Sequence, residues 1–238
     1  MTGVDPAVER RRLLRLSAAT AGGVLLTASA GGRTAAGDVT VAPAEEVPPT
    51  EDLMREHGVL KRILLIYEEA ERRLRHGKDL PPEALRESAD IIRTFIEQYH
   101  EKLEENYIFP RLRKAGKLVD TVDVLKTQHD KGRILTRRIL DGATAKGLAD
   151  EHTRKRVVHA MRSFDRMYAP HEAREDTVVF PTFRDIMPAR EFAEMGERFE
   201  DEEHRRFGAA GFTGIVDRVA GIERELDIYQ LSKFTPHV

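Results

Sequence analysis

One eleven-residue segment occurs twice in this chain, and this repeat constrains the fold more than any other sequence feature. The copies are HEKLEENYIFP, residues 100–110, and HEAREDTVVFP, residues 171–181. Each begins with His-Glu, carries a glutamate four residues after the histidine and ends with Phe-Pro. Residues i and i+4 lie on one face of a helix. The repeat therefore predicts two matching helices, each with a histidine and a glutamate on the same face.

Apolar residues recur at spacings of three and four along four long stretches, as in amphipathic helices. The predicted helices cover about residues 51–76, 82–110, 122–146 and 157–181, and the second has the option of running on toward Gly116. No stretch of alternating β-branched residues competes with them. Because the connections are short and each apolar stripe must be buried against the others, we expect an up-down-up-down four-helix bundle.

The C-terminal part adds a fifth helix from about Pro188 to Phe207 and a shorter sixth after Gly211. We therefore predict an all-α protein, an up-down-up-down four-helix bundle with one or two additional C-terminal helices. The predicted organisation is an export signal peptide at 1–36, a flexible linker at 37–50, the bundle at 51–183 and, at 184–238, a helical extension that packs on the bundle.

Composition and charge exclude several classes of function. The 238-residue chain has a net charge of −2, and nothing in that balance indicates nucleic acid or an anionic membrane as a partner. It contains no cysteine, which excludes disulfides, thiolate metal sites, iron–sulfur clusters and a cysteine nucleophile. Any metal must therefore be held by nitrogen and oxygen ligands.

The N-terminus resembles a twin-arginine export signal. Arg10-Arg11 is followed by Leu13-Leu14-Arg15, although Glu9 and Leu13 replace the usual Ser or Thr and the usual Phe. The apolar stretch at 16–30 is too short and too weakly apolar for a membrane span. We expect export to the periplasm of a protein folded with its cofactor beforehand. The alternative is a basic N-terminal arm.

Two further histidines extend the repeat. His57 lies 43 residues before His100, and His129 lies 42 residues before His171. Each half of the bundle is therefore a helical hairpin with one histidine on its first helix and the repeated segment on its second. Stacking the hairpins brings four histidines and two glutamates to one level of the core. A single inward histidine is usually a hydrogen-bonded core residue, but this set is not explained that way.

Two buried glutamates at one level repel each other, and burying each is costly unless it binds a cation. A pair of metal ions removes both problems, since each carboxylate can bridge the ions while each imidazole binds one ion. Imidazole and carboxylate without sulfur suit iron, manganese or zinc.

The order of these residues resembles the hemerythrin-like cation-binding (HHE) family. Its H…HxxxE…H…HxxxE motif corresponds here to His57, His100 with Glu104, His129, and His171 with Glu175. The resemblance covers about residues 51–183 and includes the Phe-Pro pairs. It implies a four-helix bundle with a carboxylate-bridged centre of two iron ions. In that family the centre binds O2, senses O2 or redox state, or reacts with peroxide or nitric oxide.

Some positions depart from the oxygen-carrying members. Those proteins have a second histidine four residues after the third-helix histidine, where this chain has Arg133. They also place the last acidic ligand five residues after the fourth-helix histidine, where this chain has Asp176. The internal repeat favours the neighbouring Glu175, since it matches Glu104.

Other residues are candidates for completing the site. Glu101 corresponds to a position that binds iron in some sensor relatives, and the alternative is a solvated surface glutamate. The fifth helix can fold over the bundle and supply His204 or Glu203, and the alternative is a surface position in a charged run. Tyr99 and Tyr168 are expected to be core residues with bonded hydroxyls, or else donors at the metal centre.

The predicted metal ligands do not fix one activity. We expect two iron ions and a small ligand such as O2, another diatomic molecule or peroxide, with a protein redox partner left open. The function is then O2 binding or a response to oxygen or redox state. The alternatives are an oxidoreductase acting on peroxide or nitric oxide, and a bundle that binds zinc or manganese structurally. The full set of predicted ligands is His57, His100, Glu104, His129, His171, Glu175, His204 and Glu101.

Overall fold

A computed structural model describes residues 47–236, and this part of the chain is helical without strands. The predicted signal peptide and nearly all of the predicted linker lie outside the described residues. Four long helices form the body of the protein: α1 (Pro49–Arg75), α2 (82–114), α3 (Val119–Gly142) and α4 (151–186).

The four helices form a ring in which each packs against its two sequence neighbours. α1 contacts α2 and α4, and α3 also contacts α2 and α4. Since short connections join them, consecutive helices alternate in direction. The centre of the ring is an apolar core with fully buried residues from every helix, including Leu53, Phe95, Ile139 and Phe164. The predicted all-α bundle is confirmed.

Two C-terminal helices cover one side of the ring. α5 (Ala189–Phe207) packs on α1, and α6 (Gly211–Glu225) packs on α1 and on the first turns of α2. Phe199 of α5 and Val219 of α6 are buried in these contacts. Arg206 Nη1 donates to the carbonyl oxygen of Gln98 at 2.7 Å, which ties α5 to α2 at the turn before His100.

Both repeated segments change from α-helical to π-helical geometry at their glutamate. In α2 the order is Pro82–Ile91 (α), Ile92–His100 (π), Glu101–Leu103 (α), Glu104–Ile108 (π) and Phe109–Lys114 (α). In α4 it is Glu151–Arg174 (α), Glu175–Val179 (π) and Phe180–Ile186 (α).

These π turns relieve the backbone clash at one proline in each helix. One residue separates Pro110, and likewise Pro181, from the end of the preceding π turn. A proline ring normally clashes with the carbonyl four residues earlier, and the wider turn with i→i+5 hydrogen bonds relieves that contact. The prediction that the fourth helix ends by Pro181 is therefore wrong, since α4 runs on to Ile186.

Other helix ends also differ from the prediction because local capping sets them. α4 begins at Glu151, six residues before Val157, the first residue of its predicted apolar stripe. The Asp150 side chain accepts a hydrogen bond from Thr153 N at 2.8 Å. α3 ends at Gly142, and a one-turn helix, Ala145–Ala149, follows it. Within residues 47–236 no helix is long and apolar enough to cross a membrane.

Candidate metal centre

Each helix of the ring contributes one buried histidine to the same level of the core. His57 Nε2 lies 3.0 Å from His100 Nε2, and we call these residues the first histidine pair. His129 Nε2 lies 3.3 Å from His171 Nε2, and these form the second histidine pair. All four rings therefore direct the same nitrogen into one buried space between the helices.

The two repeated glutamates lie between the histidine pairs. Glu104 Oε2 is 3.7 Å from His100 Nε2 and 3.5 Å from His129 Nε2. Glu175 Oε2 is 3.4 Å from His57 Nε2 and 3.1 Å from His171 Nε2. Donor atoms bound to one ion at about 2.0–2.2 Å lie about 3–3.5 Å apart. The spacings are thus those of ligands around metal ions, and each glutamate faces one histidine of each pair.

The carboxylates of Glu104 and Glu175 have no other partner among residues 47–236. Both residues are fully buried, and none of their four oxygens accepts a hydrogen bond from this part of the chain. Burial and the neighbouring Glu175 raise the pKa of Glu104 well above its usual value. Burial also acts to raise the pKa of Glu175, but His171 and His57 outweigh it and hold that pKa well below its usual value. Unpaired buried carboxylates are costly, and cations bound between the histidine pairs would satisfy them.

The outward-facing nitrogen of every histidine is held by a second residue. A carboxylate or amide oxygen beside Nδ1 fixes the orientation of a ring and leaves Nε2 to bind a metal. The pairs are His57 with Asp176 at 2.7 Å, His100 with Glu56 at 2.6 Å, His129 with Glu105 at 3.1 Å and His171 with Gln128 at 2.8 Å.

These supporting residues follow the internal repeat. Glu56 and Gln128 each immediately precede the histidine on the first helix of their hairpin. Glu105 and Asp176 each immediately follow a repeated glutamate. Glu56, Gln128 and Glu105 were missed from the sequence, although the repeat contains the signal. Asp176, the alternative fourth-helix ligand, contacts His57 Nδ1, while Glu175 faces the Nε2 atoms.

The Phe-Pro pairs also belong to this symmetry. Phe180 stacks on the His57 ring with centroids 5.6 Å apart, and Phe109 stacks on the His129 ring at 5.6 Å. Each phenylalanine thus covers a histidine of the other hairpin, and both are buried. The repeated segment supplies a histidine, a glutamate, a hydrogen-bond acceptor and an apolar cover.

The two histidines of the first pair have pKa values shifted in opposite directions. Burial lowers the pKa of His57, but the hydrogen bond to Asp176 and the negative charge of the nearby Glu175 outweigh burial and raise that pKa to about 9. Burial and the nearby positive charge of His57 lower the pKa of His100 well below its usual value. A metal ion that binds this pair therefore competes with a proton on His57 at neutral pH.

Glu101 is buried beside the centre and has its own partners. Tyr168 Oη donates to Glu101 Oε1 at 2.6 Å, and Arg133 Nη2 donates to Glu101 Oε2 at 2.6 Å. Its nearest approach to His129 is 4.0 Å, to the outward nitrogen Nδ1. Arg133 also contacts Glu105 at 2.6 Å. The arginine that replaces the second histidine of the oxygen carriers thus links two carboxylates around His129.

The fifth helix reaches the centre through Glu203. Carboxylate oxygens of Asp52, Glu56 and Glu203 lie within 4.8 Å of one another, and Glu56 in turn contacts His100. Among residues 47–236, His204 is not in any group of histidines and carboxylates placed for metal binding. Tyr99 Oη donates to the carbonyl oxygen of Phe199 on α5 at 3.4 Å, so its hydroxyl is bonded to the backbone.

A surface cleft between α3 and α4 approaches the second histidine pair. Its volume is about 350 Å³, and it is lined by residues that include Val124, Leu125, Gln128, Pro170, His171 and Arg174. His171 and Gln128 are the metal-centre residues among them. The cleft therefore approaches the second pair from the solvent side.

Comparison with known proteins agrees with this geometry. The model of the hemerythrin HHE cation binding domain matches residues 49–146 and again residues 122–225. The matches begin in α1 and in α3, as expected for a bundle of two similar hairpins. Uncharacterised proteins of Mycobacterium bovis and Mycobacterium tuberculosis are 56% identical over 234 residues, covering 97% of this chain and 92% of theirs. No solved structure matches the chain.

Proposed function

Since the chain belongs to the hemerythrin HHE cation-binding family, we propose that its metal centre holds two iron ions and binds O2 or responds to oxygen or redox state. One observation carries this proposal. The four oxygens of Glu104 and Glu175 are buried without a hydrogen-bond partner between two histidine pairs. That arrangement fits two ions that share both carboxylates.

Each part of the site has a role in this proposal. The first histidine pair would hold one ion and the second pair the other, with Glu104 and Glu175 shared between them. Bound iron would supply reversible one-electron chemistry and an open position for a small ligand. The chain itself orients the rings through Nδ1 and keeps water from them with Phe109 and Phe180. With four histidines and two carboxylates as ligands, coordination positions would remain open on both ions.

The first experiment is metal analysis with optical spectroscopy on protein expressed with iron. We expect about two iron ions per chain and near-ultraviolet absorption in the oxidised form, because ferric ions held by oxygen ligands absorb there. The matched control is Glu172→Gln, a buried glutamate next to His171 that pairs with Lys61 and not with a histidine. A single ion per chain, or zinc retained in preference to iron, would contradict the proposal.

A second measurement separates binding from catalysis. Reduced, iron-loaded protein should change its spectrum on exposure to O2 and should turn over peroxide no faster than free iron. Rapid turnover of peroxide or nitric oxide by the loaded protein would instead identify an oxidoreductase. Reversal of the spectral change when O2 is removed would identify a carrier or sensor.

We also propose that the protein is exported to the periplasm after folding. The support is Arg10-Arg11 followed by Leu13-Leu14 and a short, weakly apolar stretch. A buried centre with ligands from four helices must be assembled as the bundle folds. A pathway that carries folded proteins suits such a centre.

A further inference from the structure

The metal ligands are arranged symmetrically, but their surroundings are not. Each ion would receive two Nε2 atoms and share the same two carboxylates. The Nδ1 partners differ, since both histidines of the first pair contact carboxylates whereas His171 of the second pair contacts the neutral amide of Gln128. Gln128 occupies the position in its hairpin that Glu56 occupies in the other.

The carboxyl groups behind the first histidine pair have no lysine or arginine partner among residues 47–236. Glu56 is fully buried, and its only ion pair in the described part of the chain is with His100. Asp176 likewise pairs only with His57 within residues 47–236. Two carboxylates without a lysine or arginine partner therefore lie behind the first pair.

Around the second histidine pair the negative charge is offset. Glu105, the Nδ1 partner of His129, also accepts hydrogen bonds from Lys102 and from Arg133. Lys126 Nζ lies 3.9 Å from the same carboxylate. Gln128, the partner of His171, has no charge. The second pair is therefore backed by less net negative charge than the first.

A carboxylate on the outer nitrogen makes an imidazole a stronger donor, and negative charge near a metal favours its higher oxidation state. Resting on the di-iron function proposed above, we infer that the two metal positions are unequal and that Glu56 and Gln128 set the difference. The ion at the first pair is held more tightly and is harder to reduce. The ion at the second pair, next to the cleft between α3 and α4, is reduced and released first.

The test exchanges the two residues. Glu56→Gln gives the first pair the neutral partner of the second, and Gln128→Glu gives the second pair a carboxylate. Iron-loaded protein is treated with a strong chelator and iron release is followed in time. The wild type should lose its iron in two phases of equal amplitude, because one ion leaves before the other.

Each variant should change one phase. Glu56→Gln should accelerate the slow phase by about tenfold or more, and Gln128→Glu should slow the fast phase by a similar factor, since outer partners typically change metal affinity about 10–100-fold. The double exchange should restore two separate phases. Glu172→Gln, matched in charge change and burial, should leave both phases as they are.

Reduction potentials provide an independent readout. The wild type should take up its two electrons in separate steps. Glu56→Gln should raise only the lower of the two reduction potentials, and Gln128→Glu should lower only the higher one. Each variant should therefore reduce the difference between the two potentials. A merely structural effect would shift both steps together. The inference would be overturned if both irons left in one phase, or if neither variant reduced the difference between the two reduction potentials. The di-iron function would still stand in those cases. Protein that holds no pair of irons would contradict both the inference and the proposed function.

Discussion

Glu175 and Asp176 are adjacent acidic residues with different surroundings. Glu175 is fully buried and faces His57 and His171, whereas the half-exposed Asp176 contacts only the outer nitrogen of His57. Position relative to the imidazole, more than acidity, therefore distinguishes a metal ligand from a supporting residue. The same distinction separates Glu104 from Glu105 on α2.

Removing either shared carboxylate should affect both metal positions. Glu104→Ala and Glu175→Ala should each lose most of the iron, because each glutamate faces one histidine of each pair. Asp176→Asn should keep both ions at saturating iron and bind them about 10–100-fold more weakly. Metal content after gel filtration measures the first effect, and competition with a chelator measures the second.

The control for these variants is His204→Ala, on the helix that covers the site. It should retain both ions, since His204 is outside the groups placed for metal binding among residues 47–236. If Asp176→Asn lost the iron while Glu175→Ala kept it, the fourth helix would instead follow the pattern of the oxygen carriers.

Asp165 on α4 provides a pH-dependent test away from the centre. Burial, Glu68 and Glu71 raise its pKa from 3.8 to about 8, and its Oδ1 has no hydrogen-bond partner. The folded state therefore favours the protonated acid. Below about pH 4 both folded and unfolded states are protonated, and stability falls as pH rises from 4 to 8 because only the unfolded state ionises readily. Asp165→Asn should remove that loss.

The expected gain is at least about 1 kcal/mol in the free energy of unfolding at pH 8, fading toward zero at pH 4. Urea denaturation of the apo-protein at both pH values measures it. An equal change at both values would show that the carboxyl does not titrate between them.

At the residue scale, sequence reasoning brought six of the proposed ligands to one place because the repeat gave their order and spacing. It did not find Glu56, Gln128 or Glu105. The histidine nitrogen that such a residue contacts depends on how neighbouring helices are rotated about their axes. The periodicity of a single helix does not determine that rotation. Glu101 was open between a ligand and a surface residue, and its contacts with Tyr168 and Arg133 depend on packing between helices.

The helices were predictable from the sequence where the spacing of apolar residues is maintained over many residues. The four long helices lie where the period of three and four residues placed them, because burial of one face outweighs local preference. The ends were less predictable. Pro181 predicted a helix end from its missing N–H and ring clash, but the π turn Glu175–Val179 removes the clash.

Pro181→Ala tests whether this proline maintains the π turn. An alanine restores the backbone N–H and permits an ordinary α turn, which would shift Glu175 relative to the residues after it. The apo-protein should be at least as stable as the wild type, since alanine is the better helix former, while iron affinity falls. Pro170→Ala, in the α-helical part of α4, should leave iron affinity unchanged. Equal affinity in both variants would contradict the role of Pro181.

Close packing of α3 on α4 depends on Gly132. A Cβ there would lie 2.1 Å from Tyr168 Oη, the hydroxyl that donates to Glu101. Gly132→Ala should therefore reduce the free energy of unfolding by about 1–3 kcal/mol, because the tyrosine must move. Gly58→Ala is the control, since no atom lies within 4 Å of its added Cβ. It should be neutral or stabilising by up to about 1 kcal/mol. Denaturant midpoints compare the two.

At the scale of the whole molecule, export is the property that the sequence predicts and the described residues do not include. Replacing Arg10 and Arg11 by lysine should leave the precursor in the cytoplasm, because the twin-arginine pathway does not tolerate loss of both arginines. Cell fractionation with antibody detection measures this. The matched control replaces Arg12 and Arg15 by lysine and should be exported. Export of both variants would indicate the general secretion route.

The near twofold arrangement of the two hairpins has a consequence for what such a protein can become. A centre built from two identical hairpin subunits would have to present the same residue to both ions, since symmetry copies every substitution. Here both hairpins belong to one chain, so Glu56 and Gln128 can differ while the ligands stay matched. Because the two halves are covalently linked, they can differ in function while their ligands stay the same. One half can then hold its metal ion tightly while the other exchanges its ion with the surroundings.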